Sequence, residues 1–527
     1  MLNYTILSLK KWNKYKLKIS IKCDLSHAFL WLSHVFLHIL NKKYLCYHVS
    51  GGDIMKKSKL KYFSLFAFIF ICIFMSGIHN VNADTNYDVY VNGERLTDVK
   101  NKVSAGSGTI TYNHNSKKLV LENINLNASS NYGINLTSTT DTIKVILKGT
   151  NTITATGDNF GISSSNEVIF TGSGKLNIVS DWPSISGKKV IIDGANLDLT
   201  STRETVTALE SDKGLIIKNG SKVKAKGSGS AISSYAKMEI SDSKLDLEAT
   251  RDTSNAIYVE PTNGDGLLTI SNSSVKAKSG YASIYSYGKM RLTSSQFNLE
   301  SIAGGTYSDT SVEIKNSKVY VGSGNYGIGT SREGTIIVDD SALEIKVNNV
   351  SFTKEPTLIG MNNKAILGGQ EISGSDARTI VDEGNGFNLS SYNYIKTLSK
   401  YTIKIVKDNN SLVDIEDEFT LLEGENKKIS INAKDGYKLK SVLVNGQNAL
   451  PLINNKLIIN NISDDIIIKI TTEKVPITTK EKEKKAKTET IKNPQTYDGI
   501  GLYILTSIVS FISLLSMSIF IRKNNIN

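Results

Sequence analysis

The side chains most often used in catalysis are sparse in this chain of 527 residues. Beyond residue 83 there is one histidine, His114, in the polar stretch 112–116. A single histidine rules out a cluster of histidine metal ligands and leaves one candidate base for a Ser-His-Asp arrangement, and its polar neighbours favour a solvent-facing turn. The acidic pair Asp339-Asp340 and the acidic run 414–418 are typical of solvated surfaces rather than of the paired carboxylates that hydrolyse glycosides. We therefore predict no catalytic site.

Composition also disfavours thiol chemistry and nucleic-acid binding. All three cysteines, Cys23, Cys46 and Cys72, precede residue 83, so the remainder has neither disulfides nor thiols. Most of the net charge of +12 arises in the same segment, because residues 1–83 hold 12 of the 62 basic residues and 2 of the 50 acidic ones. Subtraction leaves 50 basic and 48 acidic residues in 84–527. That balance provides no basic surface for nucleic-acid phosphates.

Aromatic residues offer a different chemistry, the stacking of rings against sugars. The candidate ligand-binding residues recur near one position of a repeated unit and are Tyr132, Phe160, Trp182 and Tyr326. A second aromatic group consists of Tyr281, Tyr285 and Tyr287. Rings repeated at the spacing of the units can bind a sugar chain, since many weak contacts act together. The alternative left open is a packing ladder that seals a corner of the fold.

A repeat that fills residues 119–345 must position these side chains. Each unit has two short stretches in which apolar and polar residues alternate, as in Val190-Ile192 followed by Leu197-Leu199. Clear copies begin at residues 190, 215, 238, 268, 290, 312 and 336, which gives repeat lengths of 22 to 30 residues, and looser copies begin at 119, 145 and 168. A period of this length with strand alternation is typical of a solenoid.

A third short segment, a small residue followed by Ile, recurs in most units, as at Gly133-Ile134. Three short strands in a unit too short for a crossover helix predict an all-β fold, a right-handed parallel β-helix of about ten coils. At a strand spacing of about 4.8 Å the coils would form a rod roughly 45–50 Å long. Aliphatic side chains should then lie in single file inside the coil, among them Ile217, Ile240, Ile270 and Ile314.

A polar residue stands in the turn between the first two strands of most units. The row consists of Asn123, Asn219, Asp242, Asn272, Ser294, Asn316 and Asp340. Asn and Asp accept left-handed backbone geometry and bond to nearby amides, so we interpret the row as structural, with side-chain hydrogen bonds from coil to coil. The carboxylates of Asp242 and Asp340 are weak candidates for binding a cation.

The first 83 residues have the pattern of a targeting segment. Lysines precede the apolar run 63–75, and small residues at Val81 and Ala83 have the spacing of a signal-peptidase site. We expect a signal peptide over 55–83 that is cleaved after Ala83. Residues 1–54 are then interpreted as a misassigned N-terminal extension, with translation starting at Met55.

At the other end, Asn493-Pro494-Gln495-Thr496-Tyr497 precedes the uncharged apolar stretch 500–521 and the basic pair Arg522-Lys523. This order resembles the cell-wall sorting signal of Gram-positive surface proteins. The resemblance implies that a sortase cleaves after Thr496 and joins the chain to peptidoglycan. The apolar stretch is long enough for a transmembrane helix, so a plain membrane anchor is the alternative. Either interpretation places the protein outside the cell, anchored to the wall or the membrane.

The remaining segments divide by their composition. Residues 84–118 and 350–400 are predicted to cap a β-helix over 119–349. Residues 401–472 have longer alternating runs without a period, such as 436–442 and 466–470, and 473–492 form a charged linker. The runs in 401–472 resemble the divergent repeat modules of Firmicute surface proteins related to internalin B-repeats. That resemblance implies a small β-rich stalk domain.

The segments 87–97, 108–112, 119–123 and 145–153, with the Gly-Ile steps, resemble a clostridial family of β-helical carbohydrate-binding domain proteins. The likeness covers 87–345 and implies a β-helix that binds plant polysaccharides and calcium. Relatives tend to carry Asp-Gly-Ile where this chain has steps such as Tyr132-Gly133-Ile134. Aromatic rings supply no oxygen ligands for calcium. We therefore predict no cofactor, and calcium follows from the resemblance alone.

We predict a non-catalytic glycan-binding or adhesive protein of the cell surface. Its expected partners are a polysaccharide or another host or bacterial surface ligand, with sortase, peptidoglycan and the membrane as anchoring partners and no nucleic acid. A protein-binding adhesin or a structural wall spacer is the first alternative. A polysaccharide lyase or hydrolase is the second.

Overall fold

The computed structural model describes residues 85–261, 266–361, 363–380 and 388–476. Strands dominate these ranges, and the helical element among them is the 3-10 turn Leu389–Ser391. No helix in the described part of the chain is long and apolar enough to cross a membrane. The predicted signal peptide with Ala83, the sorting signal 493–497 and the apolar stretch 500–521 lie outside the described residues.

Ten complete coils, each with three short strands, and one further strand of the first sheet form a parallel solenoid, which confirms the predicted β-helix with about ten coils. Three sheets, A, B and C, contain the first, second and third strand of each coil. Sheet A consists of Lys118–Glu122, Ile143–Lys148, the second parts of Phe160–Thr171 and Ile185–Asp193, Leu215–Lys218, Met238–Ser241, Leu268–Ser271, Met290–Thr293, Ser311–Lys315, Thr335–Asp339 and Thr357–Ile359.

Sheet B consists of Asn125–Asn127, Thr150–Ala155, Lys175–Ser180, Asn196–Ser201, Lys222–Gly227, Lys244–Ala249, Ser274–Ser279, Gln296–Ser301, Lys318–Ser323 and Ala342–Val347. Sheet C consists of Tyr132–Leu136, the first parts of Phe160–Thr171 and Ile185–Asp193, Leu209–Ser211, Ile232–Ser234, Ile257–Val259, Ala282–Ser286, Gly304–Ser308, Tyr326–Thr330 and Val350–Phe352. Pairing within each sheet is parallel and in register.

The register places equivalent aliphatic side chains above one another. Ile217 pairs with Ile240, which pairs with Ile270, and Leu292 connects that file to Ile314. All five side chains are buried in one continuous core, as predicted for the four isoleucines. Alternation explains the burial, because every second side chain of a strand points into the coil and the others point outward.

The turn between sheets A and B is left-handed at the predicted positions. All seven residues of the polar row have φ between 39° and 58°. The coil-to-coil hydrogen bonds differ in part from the prediction, because the next residue makes most of them. The hydroxyl groups of Ser273, Ser295, Ser317 and Ser341 accept hydrogen bonds of 3.0–3.2 Å from the backbone N–H groups of Ser243, Ser273, Ser295 and Ser317.

Antiparallel strands cover both ends of the solenoid. The first strand of sheet C pairs with Asn86–Val91, which also pairs with Glu94–Thr97. The first strand of sheet A pairs with Gly108–Asn113, which forms a hairpin with Lys102–Ala105. Tyr394–Lys407 pairs with the last strand of sheet B and with Lys364–Gly369, which also pairs with Arg378–Thr379. Covered edges prevent another chain from adding strands there.

The second half of Tyr394–Lys407 enters a separate β-rich region. Its strands are Ser411–Val413, Glu418–Leu422, Lys427–Ala433, Tyr437–Val444, Gln447–Asn448, Lys456–Ile459 and Ile466–Lys474. They pair mostly antiparallel around a core of their own that includes Ile403, Ile429 and Ile468.

Candidate functional site

His114 lies in the turn between Gly108–Asn113 and Lys118–Glu122, but its ring is half-buried rather than solvent-facing. It stacks on Tyr87 at 4.5 Å between centroids, and Nε2 lies 3.3 Å from Nζ of Lys117. Burial, with the nearby carboxylates of Asp141 and Asp88, raises the pKa of Tyr112 to about 12. We interpret this group as packing of the cap.

The predicted cation candidates lie in the left-handed turn row. Asp340 pairs with Lys364, so its charge is already balanced. Asp242 lines a shallow open groove together with Lys222, Lys244 and Asn272. The described residues contain no group of three or more Asp, Glu, His or Cys side chains placed to share a metal ion. The row therefore does not match the carboxylate-rich cage that calcium prefers.

Tyr132, Phe160 and Trp182 form a stacked column at the corner between sheets B and C. Centroid distances are 5.1 Å and 5.4 Å, with interplanar angles of 24° and 11°. The guanidinium of Arg203 lies 4.5 Å from the Trp182 centroid and also pairs with Asp158. Phe160 thus has a ring stacked on each side, and Arg203 covers Trp182. Such a column presents ring edges rather than faces to solvent, which favours the packing ladder.

Tyr326 belongs to a larger cluster on the outer face of sheet C. We call this cluster the tyrosine face, and it consists of Tyr235, Tyr258, Tyr281, Tyr285, Tyr287, Tyr307 and Tyr326. Tyr258, Tyr285 and Tyr307 are register partners on consecutive coils and form a column parallel to the solenoid axis. Tyr326 lies at one border, with its ring against Gly304 and edge-on to Tyr307.

Rings in the tyrosine face are tilted as well as stacked. Tyr285 stacks on Tyr307 at 5.4 Å but is edge-on to Tyr287, at 63°. Tyr287 is also edge-on to Tyr258, at 82°. Tyr281 and Tyr287 remain 42% and 40% exposed. Because a ring that meets its neighbours edge-on keeps a face uncovered by them, this cluster offers faces that the Tyr132 column does not.

Carboxylates alternate with the tyrosines. The Tyr258 hydroxyl donates a 2.7 Å hydrogen bond to Glu260, and the Tyr285 hydroxyl donates one of 3.1 Å to Asp309. Burial raises the pKa of both tyrosines, and the hydrogen bonds and negative charge of these carboxylates raise it further. The phenols therefore stay protonated and act as hydrogen-bond donors.

Sequence reasoning identified Tyr281, Tyr285, Tyr287 and Tyr326 but missed Tyr258, Tyr307 and the carboxylates. The third strand Gly304–Ser308 has Thr306 where most other coils have Ile, as its pairing with Ile284 shows. The small-residue-Ile signal therefore omitted this coil. A search for Tyr one residue after the inward position of every coil would have found Tyr258, Tyr285 and Tyr307 together.

A model of the family described as "Carbohydrate-binding domain-containing protein" matches residues 97–334. This segment is similar to that family. The match covers coils one to nine and includes the whole tyrosine face. No curated protein and no solved structure shows a significant match to the chain.

Proposed function

We propose that the protein binds a polysaccharide on the tyrosine face and does not cleave it. The observation that carries the proposal is the exposure of Tyr281 and Tyr287 beside the axial row formed by Tyr258, Tyr285 and Tyr307. The match of residues 97–334 to a carbohydrate-binding family supports it. Sugars present apolar C–H faces and hydroxyl rims, and a surface of rings and carboxylates complements both.

The row suits a polymer better than a single sugar. Tyr258, Tyr285 and Tyr307 repeat once per coil, at about 4.8 Å, along the solenoid axis. Successive sugars of an extended chain can therefore meet equivalent groups. Each contact is weak, and the affinity comes from their number.

We further propose that the protein lies at the cell surface, because of the sequence patterns in residues 55–83 and 493–523. A signal peptide cleaved after Ala83 would export the chain. The signal 493–497 with the stretch 500–521 would attach it to peptidoglycan through sortase, or to the membrane. The β-rich region 401–472 then acts as a stalk that holds the solenoid away from the surface.

The decisive experiment replaces the most exposed rings. Tyr281→Ala combined with Tyr287→Ala removes two rings, each worth about 0.5–1.5 kcal/mol, so affinity for the glycan retained on an array should fall roughly 5- to 140-fold. Tyr320→Ala, on the outer face of sheet B, is the matched control and should bind normally. Circular dichroism should show unchanged β-structure in all variants.

Equal binding by the double variant and the wild type would remove the tyrosine face from the proposal. Tyr132→Ala, Phe160→Ala and Trp182→Ala together test the predicted binding role of the stacked column, which we propose is packing. Binding of the wild-type protein to other proteins on an array, and to no glycan, would favour a protein-binding adhesin. Release of reducing or unsaturated ends from a polysaccharide would favour a hydrolase or lyase.

A further inference from the structure

The carboxylates of the tyrosine face have no cationic partner. They are Glu210, Asp212, Glu260 and Asp309. None of them forms an ion pair with another residue in the described ranges. The hydrogen-bond donors that reach them are hydroxyls: Ser186 to Glu210 at 2.9 Å, Tyr258 to Glu260 and Tyr285 to Asp309. Each of these bonds involves one oxygen, so acceptor capacity remains for a ligand.

Basic side chains border this face and do not neutralise it. Lys188 precedes Asp212 in the same column, and Lys213 follows it in the turn toward sheet A. In later coils, Lys237 and Lys289 are at the same turn and pair with Glu239 and Glu313 of sheet A. From Tyr235 to Asp309 the outward positions of sheet C therefore contribute tyrosine, serine and carboxylate groups. The local field is negative.

A buried hydroxyl without a partner lies among these groups. Ser233 occupies the outward position between Glu210 and Tyr258 in the register of sheet C. It is 2% exposed, and its Oγ has no hydrogen-bond partner in the described structure. A buried polar atom without a partner is costly, and a ligand group that reaches Glu210 can supply the missing bond.

We infer that the polysaccharide is cationic, a chain of amino sugars that carry free ammonium groups. The inference rests on the proposed function, since it names the ligand class of the same face. An ammonium group donates up to three hydrogen bonds and carries the charge that Glu260 and Asp309 lack. An acidic polysaccharide would meet the like charges of Glu260 and Asp309 on this face and would be repelled.

Calorimetry with the full chain tests this inference. The probes are glucosamine oligomers, N-acetylglucosamine oligomers of the same length and oligogalacturonate, at about pH 5.5, where ordinary carboxylates are ionised. We expect the glucosamine oligomer to bind roughly tenfold more tightly than its acetylated equivalent. The difference should shrink in high salt, and oligogalacturonate should not bind.

Substitutions of the carboxylates test which residues cause the preference for the glucosamine oligomer. Glu260→Gln combined with Asp309→Asn keeps the shape of the face and neutralises two of its four carboxylates, and should therefore reduce the preference for the glucosamine oligomer. Glu248→Gln, on the outer face of sheet B, is the matched control and should keep the preference. Equal affinity of the wild type for both oligomers, lost on Tyr281→Ala with Tyr287→Ala, would overturn the cationic ligand and leave the proposed function standing. Binding of none of the oligomers would overturn the cationic ligand, and the glycan array then tests the proposed function separately.

Discussion

The outer faces of sheets B and C are built on the same coils and differ in how their charges are satisfied. On sheet B, register partners alternate in sign along one column, Asp198, Lys224, Asp246 and Lys276, and along a second, Lys226, Glu248, Lys278 and Glu300. On sheet C, tyrosine follows tyrosine, and the carboxylates face hydroxyls.

In a parallel, in-register solenoid each outward side chain lies beside its equivalent on the next coil, so like charges in a column repel. These two columns of sheet B satisfy this constraint internally, for example through the 3.1 Å pair of Lys226 and Glu248. Sheet C leaves its acidic groups unpaired. A face that stability alone does not require is the better candidate for a ligand.

Both faces depend on one core, so the largest effect is expected there. Ile270→Ala removes a fully buried side chain between Ile240 and Leu292 and should lower the free energy of unfolding by about 2–5 kcal/mol. Urea denaturation followed by circular dichroism measures this. A loss below about 1 kcal/mol would mean that the interior is not packed as a continuous file.

The core could be predicted from sequence because alternation depends only on neighbouring residues. The left-handed turn row was predictable for the same reason, since Asn and Asp mark such turns locally. The tyrosine face was predicted only in part, through Tyr281, Tyr285, Tyr287 and Tyr326, because coil lengths vary and the alignment of Tyr285 with Tyr307 depends on the turns between them. Stacking of Phe160 on Tyr132 was suggested by the shared Gly-Ile step, but the tilt of Tyr287 required coordinates.

A charge reversal on sheet B should have an intermediate effect. Glu248→Lys places a third lysine between Lys226 and Lys278, which should cost about 1 kcal/mol, with a larger cost at low salt. The midpoint of urea denaturation, compared at low and high salt, checks both statements. Glycan binding should not change. A salt-independent loss would show that packing rather than charge holds this face together.

The smallest expected effect is that of Glu→Gln, made once on sheet C at Glu210 and once on sheet B at Glu248. The two substitutions should change the stability at neutral pH in opposite directions. Burial raises the pKa of Glu210, and the hydrogen bond from Ser186 opposes this. The folded state therefore binds the proton more tightly than the unfolded state, so stability falls as pH rises above the ordinary Glu value of about 4.3. Glu210→Gln removes this pH-dependent loss of stability. The variant should therefore be more stable than the wild type at neutral pH, and equally stable below a pH of about 4.

Glu248→Gln breaks the pair with Lys226 instead, and should be slightly destabilising at neutral pH, by less than about 1 kcal/mol. Urea denaturation of both variants at several pH values gives the comparison. If Glu210→Gln also lowered the stability at neutral pH, the Glu210 carboxylate would stabilise the folded protein. The interpretation that sheet C retains carboxylates that destabilise the fold would then be wrong. If the Glu210→Gln variant were more stable and also bound the glucosamine oligomer more weakly, the Glu210 side chain would be shown to favour ligand binding and to destabilise the folded state.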